Sequence, residues 1–190
     1  MKFWSLEFAD KNRIHAALYR KHVNDLYNYG RGLGFDDETC MDAIHDVFCK
    51  LCSLEETEIK KIRNVKFFIF RCLKNRLIDI RKARKPYLLG QFENLPFTIE
   101  VKVRENQNEV EEYEYLKSKV KNLLSQLTDR QREAIYLRYI QEMEYEDIGL
   151  LLGMEPGSVR KLVFRGIGKL RSQVGTDTLL LFTLYHTLFP

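Results

Sequence analysis

Apolar residues recur at three- and four-residue intervals along most of the chain, the spacing that lines one face of a helix. The pattern predicts helices over residues 11–29, 37–52, 65–84, 111–126, 129–141, 145–152 and 156–171. Strand-like alternation occurs only around Phe97 to Val103, and there it is short and isolated. Gly30, Gly32 and Gly34 are expected to break the first helix from the second, and Pro86 to end the third. The expected fold is therefore all-α.

The last third carries the clearest local signals. Thr128 followed by Gln131 fits a capping box, in which side chains and backbone N–H groups satisfy each other. Gly153 is placed to stop the helix of residues 145–152. Pro156 suits the first turn of the next, where its missing N–H costs nothing. On a helical wheel of residues 158–171, Val159, Leu162, Val163, Ile167 and Leu170 share one side. Arg160, Lys161, Phe164, Arg165, Lys169 and Arg171 share the other, and no acid occurs from residue 156 to residue 171. Ile148, Leu151 and Leu152 can supply the core across the short turn "GMEP". Two helices so joined, the second basic on its outer face, read as a helix-turn-helix.

That face suits duplex DNA. Cations neutralise phosphates and release counterions. Arginine can fork onto guanine, and a small hydroxyl such as Ser158 can reach a base or a phosphate. Phe164 is open to two readings: contact with a thymine methyl, or packing on another part of the chain or on a partner. Gly166 lies on the apolar side, where close packing would explain it. Gly168 lies outside.

A second basic block, "VKFFIFRCLKNRLIDIRKARK", spans residues 65–85. Ile69, Leu73, Leu77 and Ile80 form its core stripe, with Phe70 inward. Phe68, Arg71, Asn75, Asp79 and Lys82 form the opposite stripe, and Arg81, Arg84 and Lys85 extend the charge. Cations interleaved with aromatics and an amide suit single-stranded nucleic acid, where bases stack on rings and the backbone follows charge.

Charge distribution supports two separate grips. Residues 1–86 are basic; residues 87–112 reverse the sign, with Glu93, Glu100, Glu105, Glu109, Glu111 and Glu112 against Lys102 and Arg104. The acidic stretch reads as a linker between two helical domains, the alternative being a long ordered loop. Cys40, Cys49, Cys52 and Cys72 are read as reduced thiols packed in or near a core, with redox sensing or metal binding as the alternative for the Cys49–Cys52 pair. No leader or membrane span is recognised, so a cytoplasmic protein without membrane insertion is expected.

Two motifs in fixed order resemble one family. "LTDRQREAIYLRYIQEMEYEDIGLLLGMEPGSVRKLVFRGIGKL" is similar to the promoter-binding domain of the extracytoplasmic-function (group IV) sigma factors of bacterial RNA polymerase. "DDETCMDAIHDVFCKL" with "FFIFRCLKNRLIDIRKARK" is similar to their N-terminal domain. The resemblance implies four parts. Residues 1–86 would bind core polymerase and melt the minus-ten element; 87–112 would be a linker threading toward the active cleft. Residues 113–174 would read the minus-thirty-five element through the helix-turn-helix, and 175–190 form an apolar extension.

The implied roles fall on named residues. Asp42, His45, Asp46 and Lys50 would dock on the clamp of the largest polymerase subunit, with the flap of the second-largest as a further contact. Phe68, Arg71, Asn75, Arg76, Asp79 and Lys82 would contact the minus-ten strand, Phe68 being either core or a melting wedge. Ser158, Arg160, Lys161, Phe164, Arg165 and Lys169 would read the minus-thirty-five element. The family usually has Gln at His45, Ala at Gly149 and Gly166, a polar residue at Leu150 and a Ser or Thr cap at Glu155. The tail "DTLLLFTLYHTLFP" runs beyond the usual end and is expected to pack within the chain or on an anti-sigma factor. No catalytic residue, cofactor or metal is implied. The rivals are a stand-alone helix-turn-helix DNA-binding regulator, which leaves residues 65–85 unexplained, and a nuclease using Asp36, Asp37, Glu38 and Asp42, residues that capping and docking explain better.

Overall fold

The computed structural model describes residues 7–59, 61–84, 95–100 and 110–174. Among them every regular element is helical. The chain divides into two compact units, Met1–Glu93 and Asn94–Pro190.

The first unit contains α1 (Glu7–Gly32), α2 (Asp37–Ser53), the single turn α3 (Glu56–Ile59) and α4 (Val65–Arg84). Leu26 and Tyr29 of α1, Ala43, Ile44 and Val47 of α2, and Ile69, Phe70, Leu73 and Leu77 of α4 form its core. The rings of Tyr29 and Phe70 lie 5.2 Å apart. Ile80, expected in the core stripe, is only half-buried.

The glycine reading changes here. α1 continues through Gly30 to Gly32, and the chain turns at Gly34, whose φ is 81°. Gly30 is buried, and a Cβ there would stand 2.8 Å from Cys40 Sγ. It permits close approach of two helices rather than ending one. Asp36 then caps α2, its carboxylate accepting the Thr39 N–H at 2.7 Å. Asp37 pairs with Arg31 at 2.9 Å. These two acids are thereby used in building the α1–α2 corner.

α2 and α4 run antiparallel: Thr39 near the start of α2 meets Arg84 at 3.0 Å, while Asp46 meets Arg76 at 2.7 Å. Arg81 lies over the Phe35 ring at 4.7 Å and donates to Leu33 O at 3.4 Å. The cationic end of α4 is thus partly consumed in fastening the corner between α1 and α2.

The second unit contains α5 (Val110–Ser125), α6 (Asp129–Ile135), α7 (Tyr145–Leu152) and α8 (Pro156–Val174). The capping box forms in both directions: Gln131 N–H donates to Thr128 Oγ1 at 3.3 Å, and Thr128 N–H to Gln131 Oε1 at 3.0 Å. The uniform helix expected over 129–141 instead widens into a π turn at Tyr136–Ile140. Gln141 N–H reaches Tyr136 O at 3.0 Å, and the Gln141 side chain donates to Tyr136 Oη at 3.1 Å. The extra residue in the turn brings a buried amide against a buried phenol, a pairing that apolar spacing does not reveal.

Residues 95–100 fall within the stretch expected to be linker. They form no helix or strand, with Leu95, Phe97 and Ile99 buried and the residues between them exposed. Phe97 lies 5.2 Å from the Tyr136 ring, and its N–H donates to Asp129 Oδ1 at 3.0 Å. The alternation noticed around Phe97 is therefore that of a strap on the helices, not of a sheet. Of the acids in that stretch, Glu100 is exposed and Glu111 and Glu112 fall in the first turn of the helix that begins at Val110, while Glu93, Glu105, Glu109 and the apolar tail of 175–190 lie outside the described residues.

Candidate nucleic-acid interface

α7, a turn and α8 form the helix-turn-helix, with α7 and the start of α8 at the bounds the sequence predicts and α8 running three residues further, to Val174. Gly153 adopts the left-handed conformation at φ 64° and caps α7, and Pro156 begins α8. A Cβ on Gly149 would stand 2.6 Å from Met154 O, so the turn folds closer onto α7 than alanine permits. Val159, Val163 and Leu170 are buried, and Leu162 and Ile167 are half-buried. Gly166 is buried against α6, where a Cβ would meet Ile135 Cδ1 at 2.8 Å. At Gly168 a Cβ would have nothing within 4 Å.

The opposite face of α8 is open. Ser158, Arg160, Lys161, Phe164 and Arg165 are all exposed, Phe164 at 79%. Of the two readings of Phe164, packing on the described part of the chain is removed. Arg160 rests over the Tyr145 ring at 5.0 Å, and Arg138 lies over the same ring at 4.8 Å. Arg138 is held in turn by Met143 O at 2.8 Å and Glu144 at 3.2 Å. One cation of the open face is therefore positioned by an aromatic from α7. Lys169 stands apart from the others, because its ammonium donates to Gln126 O at the end of α5.

In the first unit, Arg71, Asn75, Arg76, Asp79 and Lys82 are exposed along α4, and Phe68 is half-buried. Asp42, His45, Asp46 and Lys50 are exposed along α2. The two sets meet at one point. Arg76 Nε donates to Asp46 Oδ2 at 2.7 Å, with both side chains about half exposed (49% and 46%). A pair this open contributes about 0.2–1 kcal/mol. Residues assigned to separate tasks by the sequence are thus direct partners.

The cysteines divide differently from expectation. Cys40 is buried, and burial pushes its thiol up to about 11. Cys72 is half-buried, and burial raises its pKa as well. Cys49 and Cys52 are exposed, not packed in a core, and Cys49 Sγ lies 3.4 Å from His45 Nε2. Helical spacing left their face ambiguous, because they sit at the border of the apolar stripe.

Sequence reading missed Arg132. Its guanidinium donates to Phe97 O, to Leu124 O at 3.0 Å, to Leu127 O at 2.6 Å and to Asp129. It thereby closes the end of α5, the strap and the start of α6 around one side chain. The short break at Leu127–Thr128 between two predicted helices was the one available hint, since helix-end carbonyls need donors.

Known proteins match each half. Sigma-70 region 2 matches residues 18–86, and sigma-70 region 4 matches residues 117–170. The ECF RNA polymerase sigma factor SigM of Bacillus subtilis (strain 168) is 21% identical over 160 residues, which cover 82% of this chain and 91% of SigM. The chain belongs to the sigma-70 family, in its extracytoplasmic-function class. The fold of this sigma factor is also similar to that of RpoE from Bartonella quintana, solved in complex with the anti-sigma factor NepR. That match has a TM-score of 0.54 and 20% identity, and covers 85% of this chain and 97% of RpoE. Within the sigma factor, the α2 and α4 surfaces lie in region 2, and the α8 face lies in region 4.

Proposed function

We propose that this sigma factor binds core RNA polymerase, directs it to promoters by reading two elements, and leaves after initiation. α8 enters the major groove at the minus-thirty-five element through Ser158, Arg160, Lys161, Phe164 and Arg165. α4 holds the melted minus-ten strand through Arg71, Asn75 and Lys82, with Phe68 beside them. α2 docks on the clamp of the largest subunit, and region 4 rests on the flap of the second-largest. The chemistry of RNA synthesis belongs to the polymerase.

The open face of α8 carries this reading. A phenylalanine 79% exposed among cations, in a helix with no acid, is costly as a bare surface and useful in a groove. A stand-alone regulator would need that face but not the matching cationic face of α4. We also propose an anti-sigma factor as inhibitory partner, acting in the cytoplasm. Leu150 and Phe164, exposed at 62% and 79%, are apolar surface for it to cover.

The docking assignment has a direct test. Asp46 is an impure probe, because reversing its charge also frees and repels Arg76. Asp42 is exposed one turn earlier on the same side of α2. Asp42→Arg is expected to weaken binding to core polymerase at least about tenfold, since juxtaposed like charges at an interface cost several kcal/mol. Binding measured by fluorescence anisotropy checks this; unchanged affinity would remove α2 from the docking surface.

A further inference from the structure

One cluster on α2 has no part in promoter reading. Asp42, His45, Cys49 and Cys52 follow one another at intervals of three and four residues, forming a continuous exposed stripe. Cys49 Sγ is 3.4 Å from His45 Nε2. Cys52 lies in the last turn of α2, just before the helix stops at Leu54. Solvent therefore meets two open thiols three residues apart, one of them against an imidazole. Cys40 and Cys72, covered by other side chains and with their thiols held protonated by burial, are internal controls.

We infer that Cys49 and Cys52, with His45 as the base beside Cys49, form a peroxide-reactive dithiol whose closure to a disulfide impairs docking of α2 on core polymerase. His45 Nε2 takes the Cys49 proton, and the thiolate attacks one oxygen of hydrogen peroxide. The O–O bond breaks, Cys49 becomes a sulfenic acid, and the departing hydroxide leaves as water with the proton from His45. The Cys52 sulfur then attacks the Cys49 sulfur. The S–O bond breaks, the S–S bond forms, and hydroxide leaves with the Cys52 proton as a second water. Two thiols lose two electrons, and one peroxide is reduced to two waters.

Closure has a mechanical consequence. Side chains three residues apart on a helix have Cβ atoms about 5–6 Å apart. A disulfide requires about 3.5–4.5 Å. The final turn of α2 must therefore tighten. It is held there by Leu54 N–H to Leu51 O at 3.3 Å and Ser53 Oγ to Lys50 O at 2.8 Å, bonds at a helix end. Lys50 moves with that turn, and Cys49 leaves His45. The chemical half of the inference stands on the thiols alone; the docking half rests on the proposed role of α2.

The test uses the full-length reduced chain treated with hydrogen peroxide, then alkylated and mapped by mass spectrometry. The expected product is a Cys49–Cys52 disulfide, with Cys40 and Cys72 still alkylated. His45→Gln should slow oxidation of Cys49 about tenfold, a modest share of what a positioned base supplies. Cys52→Ser should stop at a Cys49 sulfenic acid trapped by dimedone. Oxidised chain should bind core polymerase at least about tenfold more weakly, a difference of about 1.4 kcal/mol. Dithiothreitol should restore binding. Equal oxidation of all four thiols, no disulfide, or a disulfide without loss of affinity would overturn the inference. Failure of the reduced chain to bind polymerase would instead overturn the docking role of α2.

Discussion

Arg132→Ala is expected to destabilise the second unit by about 3 kcal/mol or more, lowering its melting temperature by more than about 10 °C. The side chain is 14% exposed and satisfies the carbonyls of Phe97, Leu124 and Leu127 together with Asp129. Alanine takes that donor from Phe97 O and Leu127 O, while Leu124 O keeps the Leu127 N–H at 3.2 Å and Asp129 Oδ1 keeps the Phe97 N–H at 3.0 Å; each buried orphan costs about 1–3 kcal/mol. Water can re-enter at the partly open end of α5, so the losses do not simply add. The strap should loosen with them, because Phe97 O loses its partner while Leu95, Phe97 and Ile99 depend on staying seated. Arg132→Lys should rescue little, since a single ammonium cannot serve several carbonyls in a fixed fork. Calorimetry with limited proteolysis around residues 95–100 checks both parts. An unchanged melting temperature with a protected strap would show that Arg132 is not the fastener.

Arg165→Ala should leave stability nearly untouched and strike promoter use. The side chain is exposed on the outer face of α8, and surface replacements of this kind usually fall within about 0.5 kcal/mol. A bidentate contact to a guanine is worth about 1–3 kcal/mol of base discrimination. Promoter-specific initiation should therefore fall about five- to a hundredfold, with one base pair of the minus-thirty-five element becoming tolerated in other forms. Binding to core polymerase should stay as in the unaltered chain. Loss of polymerase affinity in this variant would contradict the division between the α8 and α2 surfaces.

The parts legible in the sequence were those encoded by neighbours in the chain. The Thr128 capping box, the Gly153 stop and the Pro156 start act over a few residues, so the bounds of α7 and the start of α8 could be read directly. The two faces of α8 followed from spacing alone. What stayed hidden depends on partners far along the chain. Gly30 reads as a breaker until Cys40 is placed 2.8 Å from its missing side chain. Asp46 and Arg76, thirty positions apart, fall on two separate wheels and pair only when α2 and α4 pack antiparallel. No sequence signal singles out Arg132, whose donors turn inward to carbonyls that no periodicity marks. Lys169 likewise sat on the cationic side of the wheel but reaches Gln126 O. The exposure of Cys49 and Cys52 was a matter of a few tens of degrees around a helix, which packing decides and spacing does not.

The most direct measurement is run-off transcription from a genomic fragment library with purified core RNA polymerase and this chain as the sole added specificity factor. Discrete transcripts from a small set of start sites, sharing sequence at two separated upstream elements and absent without the chain, are the predicted result. Transcripts no different from those of core polymerase alone, despite a folded and reduced chain, would contradict the account.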